Sequence, residues 1–453
     1  MTGIRVFSAS LVLPVTAPPI LDGAVAVHDG RILHVGDRRW VLAALEERGE
    51  TFSETHADGI LTPGLVNAHS HLQYTGMAQV GRGRYHGFED WAAAFDALYD
   101  QPHDWRSDAV DGAAQLLRSG ATTVADVVTD LEAASVLHDT GLHGIAYWEV
   151  MSWQDAAWRE RGRDQVHAEL DSIPTTPGAG LSPHAPYSLD TLPLHEIPDI
   201  VRERGLRLHI HLGESQFEGE RVSTDDGERH ENWRFAGVQS FRALRELGFG
   251  TSATEFVDQL GVLGPDCHIA HGVYMTKQDR RLLRLRGTSV ALCPRSNEVI
   301  GLEPPPVADY LREGNAIAVG TDSLSSSPSL DLMADVAALH RLAGAQGYTD
   351  DDLNSRLLAA ATLGGARAMG LDVGPRRLGQ LGVGAGADLA FFDIPVTTIA
   401  DALAELIEAG SGRCAATYID GAERWSRAQW HDEEDTHGAT TAASGETRPG
   451  EAS

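Results

Sequence analysis

The chain has 453 residues, 42% of them hydrophobic and 22% charged, with a formal net charge of −29 from 36 Lys and Arg against 65 Asp and Glu. That length can bury a core without a disulfide or a structural metal. That charge excludes binding to nucleic acid or to an anionic membrane, both of which call for a positive face.

The N-terminal run MTGIRVFSASLVLPVTAPPI carries one positive charge and is interrupted by Pro14, so it reads as a strand and not as a signal peptide. No stretch reaches the ~18 apolar residues of a membrane span. Cys267, Cys293 and Cys414 are widely spaced and form no CxxC pair, which fits a reducing cytoplasm. Through residues 1–62 the alternation in GAVAVHDGRILHVG, around an Asp29-Gly30 turn, predicts β-hairpins.

The middle, 63–375, holds apolar β-type runs: GILTPGLVNAH (59–69), TTVADVV (122–128), GIAYWEV (144–150), GLSPHAPYS (180–188), LRLHIHLGE (206–214), CHIAHGVYM (267–275), SVALCPRSN (289–297) and AIAVGTDS (316–323). Helical stretches separate most of them. Phe88, Trp91, Ala92, Phe95 and Leu98 recur at helical spacing, as do Val110, Ala113, Ala114 and Leu117 before Gly120. Strand–helix alternation eight times over predicts an α/β fold, a (β/α)8 TIM-type barrel. A doubly wound sheet would show a glycine-rich phosphate turn after an early strand, and no GxGxxG or GxxxxGK occurs there. At 376–426 the β texture returns in GADLAFFDIP and ATYIDGAERW, so both termini together predict a small β-sandwich domain. The polar, repetitive tail from 427 to 453 is predicted to be disordered.

The C-terminal ends of barrel strands converge on one mouth, where active sites sit. His69 and His71 end the first run two residues apart, so both face one side. His209 and His211 share a face at the end of the fifth run, with Glu214 just beyond. In the sixth, His268 reads as a buried structural residue and His271 as the one nearer the mouth. Asp322 ends the eighth. His184, in a Pro-bounded loop after the fourth, either contacts substrate or fixes that loop. Three histidines and an aspartate with an open position make a catalytic metal arrangement, suited to zinc and to ferrous iron. Binuclear barrel hydrolases bridge two metals with a lysine on strand four. The single lysine, Lys277, follows the sixth run, so one metal is the simpler reading.

PGLVNAHSHL, LSPHAPYS, LHIHLGES, IAHG, LCPRSN and GTDS, in this order, resemble the amidohydrolase superfamily. The resemblance is greatest to its branch of cytosine, guanine and adenosylhomocysteine deaminases and triazine chlorohydrolases. TLGGARAMGL followed by LGVGAGADLAFFD is similar to that branch's C-terminal signature, and the likeness runs from about residue 20 to 425. The resemblance implies His69, His71, His211 and Asp322 as ligands of one divalent metal, zinc before iron. It implies Glu214 as the proton-shuttling acid, and His271 as the residue that holds the attacking hydroxide or the substrate. His184 matches a residue that meets the ribose or leaving portion.

Within the branch, CPRSN, GTDSLSSSPSLD, GFEDW and YWEV look like the aminodeoxyfutalosine deaminases of the futalosine route to menaquinone, whose substrate carries a benzoate. A carboxylate would take the two-pronged grip of an arginine. Arg295, Arg82 and Arg84 are the candidates, with a local acid such as Glu298 the competing partner of Arg295. Ser325-Ser326-Ser327 departs from the Ala-Ser-Asn-like residues of many members.

The implied reaction is hydrolytic: Glu214 protonates a purine ring nitrogen, Asp322 takes a proton from the water, His271 steadies developing charge, and ammonia leaves. The rival readings are deamination of adenosylhomocysteine, methylthioadenosine or guanine, chloride displacement from a triazine, opening of a cyclic amide, and an inactive barrel scaffold. The expected partner is a small-molecule substrate, with a homodimer the family-level expectation. The loop at 217–235 is expected to shape the pocket.

Overall fold

The computed structural model describes residues 3–215, 218 and 251–427. The tail beyond 427, and all of the 217–235 loop except Glu218, lie outside the described residues.

Four N-terminal strands come first: β1 (Ile4–Val12), β2 (Ile20–His28), β3 (Arg31–Asp37) and β4 (Phe52–Pro63). The next eight are β5 (Leu65–Ser70), β6 (Ala121–Val128), β7 (His143–Val150), β8 (Ala179–Pro183), β9 (Arg207–Leu212), β10 (Cys267–His271), β11 (Ser289–Leu292) and β12 (Ile317–Val319). The last three are β13 (Leu389–Phe392), β14 (Cys414–Ile419) and β15 (Ala422–Ser426). All eight predicted runs thus become β5 to β12, each pairing in parallel with the next. Parallel strands covered on both faces read as unbroken apolar runs, and every residue of β6 is buried.

The barrel closes between its first and last strands. The amides of Thr321 and Asp322 both donate to the His69 carbonyl, at 3.1 and 3.0 Å, and Asn67 Nδ2 donates to Thr321 Oγ1 at 2.7 Å. Gly320 makes that approach possible, because a Cβ there would lie 2.8 Å from both Cys293 Sγ and His69 Cβ.

The helices hold one surprise of register. Trp105–Arg118 starts at Asp104, whose carboxylate accepts from Ser107 N at 3.0 Å. Its buried face is Ala109, Gly112, Ala113 and Leu116, while Val110 is exposed. The stripe expected from Val110, Ala113, Ala114 and Leu117 is therefore turned by about one residue. Small residues decide it: a Cβ on Gly112 would meet Thr75 Oγ1 at 2.5 Å and Leu72 O at 3.0 Å, so the helix seats its smallest side chains against the 72–77 turn.

Both termini build the second domain, as predicted. Its strands form one seven-stranded mixed sheet in the order β15-β14-β13-β4-β1-β2-β3, with β1 and β4 parallel and the other pairs antiparallel. Alternation splits its side chains between two faces. Phe7, Val25, Leu61, Phe391 and Tyr418 pack on one. Val6, Ala24 and Ala26 pack on the other, against Val41 and Leu45 of the helix Arg38–Glu47. Strand β4 runs directly into β5 through Gly64, tying sheet to barrel. A polar clamp joins them as well: His143 Nδ1 lies 2.9 Å from Asp388 Oδ2, and its Nε2 lies 3.5 Å from Asp420 Oδ2.

Candidate active site

His69 lies in β5 and His71 just past its end, and both are buried at the mouth. His71 Nε2 lies 3.2 Å from His211 Nε2 at the end of β9. Asp322, just after β12, brings Oδ1 to 3.6 Å from His69 Nε2 and 3.9 Å from His71 Nε2. Burial keeps these imidazoles neutral. It drives His69 and His211 well below the ordinary histidine value, and His71 down to about 4 against the opposing pull of Asp322.

Backbone carbonyls set the tautomers. His211 Nδ1 donates to the His184 carbonyl at 2.9 Å, leaving Nε2 as a lone pair. His209 Nδ1 donates to the His268 carbonyl at 3.0 Å, so its Nε2 accepts from His69 Nδ1 at 2.7 Å, and His69 Nε2 is left bare. That nitrogen is buried without a hydrogen-bond partner. His71 Nε2 and His211 Nε2 stand 3.2 Å apart, and nitrogens at ~2.0–2.1 Å from one tetrahedral zinc stand about 3.3 Å apart. Three neutral imidazoles and a carboxylate thus fit one divalent metal.

Asp322 is held by hydroxyls. Its Oδ2 accepts from Ser296 Oγ at 2.7 Å and Ser326 Oγ at 2.8 Å, and its Oδ1 from Ser323 N at 2.7 Å. Sequence reasoning did not single out Ser296, and it noted Ser326 only as a departure from the family pattern. His271 and Asp322 both sit at positive φ, 73° and 58°, which is uncommon for side chains other than glycine.

Glu214 is buried, and burial, with Asp322 beside it, raises its pKa well above the ordinary carboxyl range. Its Oε1 lies 3.5 Å from His271 Nε2. His271 Nδ1 donates to Asn297 Oδ1 at 3.2 Å, leaving Nε2 toward the cavity as an acceptor. Glu218, which sequence reasoning missed, holds the Glu214 turn: its carboxylate accepts from the amides of Gly213, Glu214 and Ser215 at 2.8, 3.1 and 3.0 Å. His184 lies between the loop and the cavity. Its Nδ1 meets Ser188 Oγ at 2.8 Å within the Pro-bounded loop, and its ring lines the cavity.

The cavity has a volume of about 250 Å³ and takes in His71, His211, Glu214, His271 and Asp322. The helix Phe88–Tyr99 supplies its aromatic wall with Phe88, Trp91, Phe95 and Tyr99. That apolar stripe faces the ligand space, and of the helix only Ala92 is buried in the core. Trp91 is fixed by an Nε1 bond of 2.9 Å to the Ser325 carbonyl.

The arginine expectation is corrected. Arg295 is occupied elsewhere: its Nε and Nη2 bond Asp335 Oδ2 at 3.0 and 2.7 Å, and its Nη1 bonds Ser329 Oγ at 2.8 Å. The partner is the buried Asp335, not Glu298. Arg82 and Arg84 are exposed and lie outside the cavity lining. Among the described residues, no arginine or lysine lines the cavity.

The amidohydrolase family model matches residues 60–423, most of the chain. A 5-methylthioadenosine/S-adenosylhomocysteine deaminase from Moorella thermoacetica is 28% identical over 398 residues, covering 84% of this chain and 84% of that protein. Among solved structures, a zinc-bound adenosine deaminase from Xanthomonas campestris superposes with a TM-score of 0.76 at 23% identity, covering 95% of this chain and 98% of that one. The Helicobacter pylori aminofutalosine deaminase in complex with methylthio-coformycin gives a TM-score of 0.78 at 19% identity, covering 92% and 99%. This chain belongs to the amidohydrolase family and is a metal-dependent hydrolase.

Proposed function

We propose that the chain is a zinc-dependent hydrolytic deaminase of adenosine-type nucleosides. The observation that carries the reading is Glu214: a buried acid whose pKa burial and Asp322 push well above the ordinary carboxyl range, 3.5 Å from His271 and beside the His–Asp donor set, in an aromatic-walled cavity.

His69, His71, His211 and Asp322 would hold the metal. When bound, it would lower the pKa of a water toward ~7 and so supply the nucleophile at neutral pH. Glu214 donates its proton to the purine ring nitrogen next to C6, which makes C6 electrophilic. His271 Nε2, an acceptor because Nδ1 is spent on Asn297, orients the attacking O–H. Asp322, steadied by Ser296 and Ser326, accepts the proton that the nucleophile loses. Asp322 passes that proton to the amino group, the C6–N bond breaks and ammonia leaves, and the proton of the added hydroxyl returns to Glu214 as the C6 carbonyl of the oxopurine forms. The Phe88–Tyr99 wall packs on the flat base and keeps bulk water out.

At the sugar end the reading favours an uncharged 5′ substituent, as in 5′-methylthioadenosine. The similarity to the Moorella thermoacetica deaminase supports an adenosine with a thioether 5′ substituent, of which 5′-methylthioadenosine is the uncharged case. 6-Amino-6-deoxyfutalosine carries a benzoate, and the described lining offers that anion no cation. The test is ammonia release from metal-replete protein offered 5′-methylthioadenosine, S-adenosylhomocysteine, adenosine, 6-amino-6-deoxyfutalosine and guanine side by side. Preference for an adenosine with a neutral 5′ group is expected. Preference for 6-amino-6-deoxyfutalosine would restore the menaquinone reading, and no ammonia from any of them would overturn deamination altogether.

A further inference from the structure

Glu149, near the end of β7, has no task in the reaction just described. Its side chain is 2% exposed, yet it lines the cavity, and its Oε1 is buried without a hydrogen-bond partner. A buried carboxyl oxygen left without a donor is costly and rare in a native fold.

Three nearby donors are committed elsewhere, while Ser182 Oγ, on the residue beside Glu149 in β8, is also buried without a partner. His211 Nδ1 lies 3.8 Å away, but its N–H goes to the His184 carbonyl at 2.9 Å. Tyr74 Oη pairs with Thr129 Oγ1 at 2.9 Å, and Tyr99 Oη donates to Asp130 Oδ2 at 3.2 Å. The same geometry argues against a second metal on Glu149, His184 and His211, because His211 would need the nitrogen that the backbone holds. Glu149 borders the ligand space of the cavity. The charged and acidic groups around that space are Asp96, Glu149, Glu214 and Asp322, with no cation among the described lining.

We infer that Glu149 is a substrate-recognition residue: its carboxyl, left without a protein partner, takes a hydrogen bond from an O–H or N–H donor on the sugar or 5′ substituent of the nucleoside. The inference rests on the nucleoside-deaminase reading and adds the residue that sets selectivity at the sugar end. A site built around a hydrogen bond rejects an analogue lacking the donor far more strongly than a merely apolar site does.

The experiment measures kcat and KM for ammonia release by wild type, Glu149→Gln and Glu149→Ala. The substrates are adenosine, 2′-deoxyadenosine, 3′-deoxyadenosine, 5′-amino-5′-deoxyadenosine and adenosine-5′-carboxylate. Metal content and the circular-dichroism melt are recorded for each protein. Wild type is expected to turn over one of the donor-bearing compounds about 10- to 100-fold better in kcat/KM than the analogue lacking that donor. Glu149→Ala is expected to erase that gap, chiefly through KM, with one metal per chain retained. The analogue whose gap closes identifies the donor as a 2′-OH, a 3′-OH or a 5′-amine. Glu149→Gln, which still offers an acceptor oxygen, is expected to keep part of the gap. Equal loss on every substrate, as a water-bridged structural role would give, overturns the inference, as does loss of metal from Glu149→Ala. A wild type active on none of the nucleosides overturns the deaminase reading instead.

Discussion

Nε2 of His209 accepts a hydrogen bond of 2.7 Å from Nδ1 of His69. The proton order in this pair is set one residue further back, where His209 Nδ1 is spent on the His268 carbonyl. A backbone oxygen in β10 thus dictates which nitrogen of His69 faces the metal position. His209→Leu removes the acceptor without adding charge. Metal affinity should fall about 10- to 100-fold, measured by competition with a chromogenic chelator, with His209→Gln retaining part of it. Unchanged affinity in the leucine variant would mean that His69 needs no such partner.

Glu214→Gln keeps the shape of the side chain and removes the transferable proton. Ammonia release should fall by roughly 10²–10⁴ while metal content stays at the wild-type level. Near wild-type turnover would show that another group protonates the ring.

Arg295→Met separates a structural role from a substrate role. Its partner Asp335 is fully buried, so removing the guanidinium strands a carboxyl in the core at a cost of about 3–5 kcal/mol. The melting temperature should drop clearly, and KM for a neutral nucleoside should not move. A large change in KM with an unchanged melt would return Arg295 to the pocket.

The clamp between barrel and sheet predicts a pH-dependent stability. Burial alone would lower the His143 pKa, but the Asp388 and Asp420 carboxylates more than reverse it and raise it from 6.5 to about 10. Arg376 faces Asp420 from the other side, at 3.9 Å. Because the folded value exceeds the unfolded one, the clamp stabilises fully below about pH 6.5 and is lost as pH rises toward about 10. Denaturant midpoints between pH 6 and 10 should therefore decline along that limb, and His143→Gln should flatten it. An equally steep limb in the variant would assign the effect to other groups.

The barrel was legible because strands covered on both faces carry unbroken apolar runs. The paired histidines were legible because a strand repeats every two residues. What escaped depends on side-chain contacts, distant or local, that no periodicity reports. Asp335 is forty positions from Arg295, Ser326 is four beyond Asp322, and the Glu218 carboxylate acts on a turn that closes only in three dimensions. The 88–99 stripe was read correctly as helical, but periodicity reports an apolar face and not what that face meets. In the 105–118 helix two stripes of equal spacing competed, and backbone proximity at Gly112 chose between them.

At the seam, one carbonyl, His69 O, receives the amides of both Thr321 and Asp322. The proposed ligands flank it, with His69 on the first stave, His71 just past its end and Asp322 just past the last. An ion held by these residues would link the first and last staves, which would couple its release to the parting of the seam. Chelation should accelerate deuterium uptake at Thr321 and Asp322 well ahead of the other barrel amides. The rate of metal release should match the rate of that opening, and metal release much faster than the opening would uncouple the two.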